Sequence, residues 1–127
     1  AAYNREKNSF EVNNNLGSAY LIKKDYNKAI SYFQAAMRLE PKNVEVWSNL
    51  AQAFAGAEQF DAAKTTYVEL LKRAPSDWNA YIELGKVCIA LKDTASAEAY
   101  LTAVQSRQPN YKKDAVSALL TSIRESR

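Results

Sequence analysis

Histidine is absent from this 127-residue chain, which removes the commonest general base and the commonest metal ligand. The single cysteine, Cys88, excludes an internal disulfide and a multi-cysteine zinc site; a reducing compartment such as the cytoplasm fits it slightly better, and an oxidising one fits as well. Gly17, Gly56 and Gly85 are the only glycines and never cluster, so there is no phosphate-cradling loop. No apolar run approaches the roughly 18 to 20 residues that a bilayer-spanning helix needs. The net charge is only +3, and no basic stripe interleaves with aromatics, so nucleic acid is not indicated. These absences point away from an enzyme and away from a cofactor or metal. The chain opens on Ala1 without a signal-peptide pattern, which reads as a processed product or an excised piece whose targeting information is absent.

What is present is a period. Pro41, Pro75 and Pro109 stand 34 residues apart, as do Ala29, Ala63 and Ala97, and Leu16, Leu50 and Leu84. A small residue follows each of those leucines: Gly17, Ala51, Gly85. Phe33, Tyr67 and Leu101 repeat a large apolar group, and Tyr20, Phe54 and Cys88 form another series. Within a unit, Val46, Trp47, Leu50, Ala53 and Phe54 recur at helical spacing, then Phe60, Ala63, Tyr67, Leu70 and Leu71 do so beyond Gly56. Pro75 forbids continuation and Asp77 stands at an N-cap position before Trp78. Each unit is therefore a pair of helices, and a pair cannot bury its apolar face without a stacked neighbour. Gly17, Ala51 and Gly85 are expected to face Ala29, Ala63 and Ala97, with Tyr20, Phe33, Phe54 and Tyr67 filling the space between pairs.

The units resemble tetratricopeptide repeats, whose pattern is W-x2-L-G-x2-Y, then A-x3-F, then P. Trp47, Leu50, Ala51, Phe54, Ala63, Tyr67 and Pro75 carry it in the second unit. Tyr81, Leu84, Gly85, Cys88, Ala97, Leu101 and Pro109 carry it in the third. The first has Asn13 where a large apolar residue is usual. The expectation is an all-α, right-handed solenoid of antiparallel helix pairs, with units at 10–43, 44–77 and 78–111 and a capping helix at 112–127. Tyr111, Ala115, Leu119 and Ile123 are assigned to the buried side of that cap. Residues 1–9 read as a leader or the remnant of a preceding unit, because Ala1 and Ala2 align with Ala35 and Ala36.

The resemblance implies a concave groove lined by the first helix of each pair, where an extended or helical segment of a partner protein is held, as an adaptor or assembly scaffold would hold it. Glu11, Asn14, Asn15, Ser18 and Ile22 are assigned to it from the first unit. Glu45, Ser48, Asn49, Gln52 and Gly56 come from the second, and Asn79, Ile82, Glu83 and Lys86 from the third. Contact with the partner is assigned to Asn15, Ser18, Ser48, Asn49, Gln52, Glu83 and Lys86. In relatives that bind extended peptides, the slot of Asn15 and Asn49 carries an asparagine ladder, because an amide both donates to and accepts from main chain. Glu83 interrupts it. Five slots that clamp a C-terminal carboxylate in chaperone adaptors hold Asn14, Ser18, Asn49, Asn79 and Glu83, with one match, so that clamp is absent. Asn13 and Asn14 are assigned to solvation of the helix start, Cys88 to an inert core thiol, and Lys23, Lys24 and Lys28 to a solvated edge. Glu58 and Asp61 lack the enclosure that tunes a catalytic carboxylate. A self-assembling scaffold, or the recognition part of a larger enzyme, is the alternative reading.

Overall fold

The computed structural model describes residues 9–126, and among them every regular element is an α-helix. The helices are α1 (Phe10–Ile22), α2 (Tyr26–Leu39), α3 (Val44–Gly56), α4 (Phe60–Arg73), α5 (Trp78–Ala90), α6 (Thr94–Arg107) and α7 (Lys113–Glu125). The reading of Ala1 and Ala2 lies outside the described residues.

The helix ends repeat with the same period as the prolines. Ser9, Asn43 and Asp77 cap α1, α3 and α5, each side-chain oxygen accepting from a first-turn N–H at 3.0 to 3.1 Å. Asp25 and Asp93 cap α2 and α6 in the same way, whereas Gln59 at the equivalent position makes no side-chain cap bond to α4. Just before these caps, Lys24, Glu58 and Lys92 each adopt positive φ, between 61° and 67°, to reverse the chain. A left-handed turn without glycine is thus built into each unit.

Each first helix packs on its own second helix, and each second helix packs on the first helix that follows. Two clusters form the core. One gathers Phe10, Ala29, Ile30, Phe33 and Ala36 with Val46, Leu50 and Ala53; the other runs from Ala51 and Tyr67 through Leu84, Cys88 and Leu101 to Val116, Leu120 and Ile123. Phe33 and Tyr67 are fully buried, and each such side chain stabilises the fold by roughly 1.5 to 3 kcal/mol through burial.

Three expectations need correction. A Cβ at Gly17 would stand 2.5 Å from the Phe33 ring, and one at Gly85 would stand 2.9 Å from Cγ of Leu101; these large residues, rather than Ala29 and Ala97, are what the glycines admit. Leu16 is not core: it is 38% exposed, because no described helix precedes α1 to cover it, whereas Leu50 is 4% exposed. The cap turns a neighbouring face inward: Val116, Leu120 and Ile123 are buried, while Ala115 is exposed and Tyr111 and Leu119 are half-buried. Val116 and Leu120 bring larger apolar groups than Ala115 to the end of the stack, so that rotation buries more area.

Candidate functional site

The first helices α1, α3 and α5 carry the polar face singled out in the sequence. Asn15, Gln52 and Lys86 are exposed, and Ser18, Ser48, Asn49 and Glu83 are half-buried. Two residues expected on this surface belong inside: Asn14 is 6% exposed and Ile82 is 2% exposed. Position 14 repeats as Ser48 and Ile82, and the apolar member of that series was the signal that the register turns inward.

Asn14 is instead the hub of a polar bridge between α1 and α3. Its Nδ2 donates to Oε1 of Glu45 at 3.3 Å, and its Oδ1 accepts from Nδ2 of Asn49 at 3.0 Å. Asn13 is buried too, donating from Nδ2 to the Ser9 carbonyl at 2.9 Å, so neither asparagine serves to solvate the helix start. Asn13 occupies the register of Trp47 and Tyr81, which marks it as an inward position. The bridge changes the ladder: Asn49 spends one donor inside the protein, whereas Asn15 makes no such bond across to α3. At the next step Glu83 accepts from Nζ of Lys86 at 3.2 Å, which leaves an acceptor with a neutralising neighbour.

A depression of about 410 Å³ opens beside the bridge, lined by Phe10, Glu11, Asn14, Asn15, Glu45 and their neighbours Glu40 and Asn43. Three carboxylates and three amides give it acceptors in excess. Elsewhere the polar groups serve the fold. The Trp47 indole N–H donates to the Pro41 carbonyl at 2.9 Å while the Arg73 guanidinium lies 4.3 Å from the Trp47 ring. Lys28 reaches Asp25 at 3.9 Å and lies 5.3 Å from the Tyr20 ring, which stacks on Tyr32 at 5.6 Å. Burial pushes the Cys88 thiol above its usual value, which keeps it protonated and unreactive. Among the described residues no group of three acidic, cysteine or histidine side chains is placed to hold a metal ion.

A model of the tetratricopeptide repeat matches residues 20–77 and again 54–123. The chain belongs to the tetratricopeptide repeat family. Among similar proteins, Superkiller protein 3 of Schizosaccharomyces pombe is 35% identical over 63 residues, half of this chain, and the general transcriptional corepressor trfA of Dictyostelium discoideum is 30% identical over 100 residues, 77% of it. The chain spans only 4% and 7% of those two proteins. The first tetratricopeptide domain of Spaghetti (RPAP3), solved with the HSP90 peptide SRMEEVD, superposes with a TM-score of 0.84 at 22% identity, covering 92% of this chain and 91% of that one. That likeness establishes the solenoid fold.

Proposed function

We propose that this tetratricopeptide array is a protein–protein interaction module that holds an extended segment of a partner protein against α1, α3 and α5, and that it performs no chemistry itself. Its working units are 10–43, 44–77 and 78–111, closed by the helix within 112–127. The contacts come from Asn15, Ser18, Ser48, Asn49, Gln52, Glu83 and Lys86. The observation that carries this reading is the tethering of Asn49 to the buried Asn14, at 3.0 Å. A half-buried amide held in one orientation loses little freedom when a partner's main-chain N–H binds it. The Spaghetti domain in complex with a peptide lends the same reading support by analogy of fold. The ligand differs from that acidic tail: Asn14 is inside, Asn79 accepts from Lys112, and Glu83 offers a carboxylate no cation of its own. No described helix is long and apolar enough to cross a membrane.

Peptide display followed by titration tests the reading. Asn15→Ala/Gln52→Ala removes two exposed amides, and the loss of two hydrogen bonds should weaken selected peptides by about tenfold with the melting temperature unchanged. Peptides that bind the variant and the native chain equally would move the site off this face.

A further inference from the structure

Tyr67 is buried to its tip. The side chain is 2% exposed in the core cluster that α4 shares with α5, and its hydroxyl makes no hydrogen bond. Every fully sealed side-chain nitrogen or oxygen among the described residues has a hydrogen-bond partner, so the Tyr67 oxygen is the atom that meets solvent. It emerges beside α5. After burial itself, the charges of Glu83 and then Asp77 push the phenol above its ordinary value, so the hydroxyl keeps its proton. At the same register Phe33 and Leu101 are fully buried without a hydroxyl, so the oxygen adds nothing to the filling of this space.

The hydroxyl falls where the polar face lacks a donor. Phe33 stands ahead of Asn49 in the repeat as Tyr67 stands ahead of Glu83 and Leu101 ahead of Ser117. Asn49 and Ser117 each carry a donor of their own, whereas an ionised Glu83 only accepts. We propose, on the groove reading above, that Tyr67 and Glu83 together form the third rung of the ladder begun by Asn15 and Asn49. The hydroxyl donates to a main-chain carbonyl of the bound segment, and the carboxylate accepts a main-chain N–H. An asparagine amide offers both functions from one side chain; here α4 supplies the donor and α5 the acceptor. Lys86 does not replace the donor, because it is exposed and its ammonium is held on Oε1 of Glu83 at 3.2 Å. Oε2 of Glu83 makes no bond among the described residues and is left for the incoming N–H. The phenol is fixed by its burial, so donating costs little further order.

Tyr67→Phe removes the hydroxyl and keeps the ring, which Phe33 already shows to fit this register. Titrated with several display-selected peptides of unrelated sequence, the variant should bind about fivefold more weakly than the native chain, with its melting temperature retained. The loss should be alike for all of them, because main chain carries the contact. Glu83→Asn returns a donor to the rung, so Tyr67→Phe made in that background should cost under about twofold. Damage to the fold cannot imitate that rescue. Equal losses in both backgrounds, or a loss confined to peptides sharing one side chain, overturn the split rung. Peptides that are weakened by Asn15→Ala/Gln52→Ala but bind Tyr67→Phe at native strength overturn it and leave the groove standing. Peptides indifferent to all of these variants, or a library that yields no binder, overturn the groove and the rung together.

Discussion

The first and second helix pairs place the same kinds of residue at the same registers and treat them differently. Val12, Leu16 and Ala19 repeat as Val46, Leu50 and Ala53, yet Leu16 is 38% exposed and Leu50 only 4%. Nothing in the two leucines differs; α2 covers one, and no described helix covers the other. Burial in a stacked array is supplied by the neighbour, and a unit without a described neighbour on one side carries core-type residues that are left partly uncovered there. The first unit compensates with polarity. Where the second has Trp47, the first has Asn13, hydrogen-bonded to the Ser9 carbonyl, and Asn14 ties α1 to α3 through Glu45 and Asn49.

The largest test of this contrast is a matched pair of truncations. Leu50→Ala should cost about 2 to 5 kcal/mol, and Leu16→Ala under about 1 kcal/mol, by chemical denaturation. Equal losses would mean that Leu16 is covered after all. Next comes the close approach of the paired helices. Gly17→Ala sets a methyl 2.5 Å from the ring of the fully buried Phe33, which must shift to admit it. That clash outweighs the gain in helix propensity of about 1 kcal/mol, for a net loss of roughly 1 to 3 kcal/mol. Gly85→Ala meets the narrower obstacle of Leu101 at 2.9 Å and should lose less, and the second unit already carries Ala51 at this register.

A smaller effect of opposite sign is expected at α4. Gln59 stands where Asp25 and Asp93 cap their helices, and Gln59→Asp should supply the missing cap and raise stability by about 0.5 to 1 kcal/mol. For a chain of this size that is a rise of a few degrees in the thermal midpoint. The smallest prediction concerns pH. Hydrogen bonds from Ser96, chiefly, and the neighbouring Lys64 hold the Asp93 carboxyl below its usual value. A group lowered on folding contributes stability that is present above its unfolded value and is lost as pH falls through the folded one. Asp93→Asn should therefore flatten the fall in melting temperature as pH drops below about 4, while Gln59→Asp should steepen it there.

Much of the fold was legible because packing repeats in phase. The 34-residue recurrence of proline, alanine and leucine carried the helix pairs, and Asp77 announced the start of α5 before Trp78. The polar surface was legible only in part. Asn15 and Gln52 are exposed, but Asn14 and Ile82 turned inward. A triple asparagine reads as solvated when each side chain is judged by polarity alone. Comparison with Trp47 at one register and Ile82 at another would have shown that two of the three face the core.

The sequence by itself determined the elements and their order, because helix period, caps and breakers act over a few residues and leave a local record. Tertiary structure alone decided which copy of a repeated residue is covered and which amide is spent inside the protein. It also decided which face of α7 closes the stack. Each of those outcomes depends on which described helices pack against one another across the chain, and identical residues at Leu16 and Leu50 cannot record that difference.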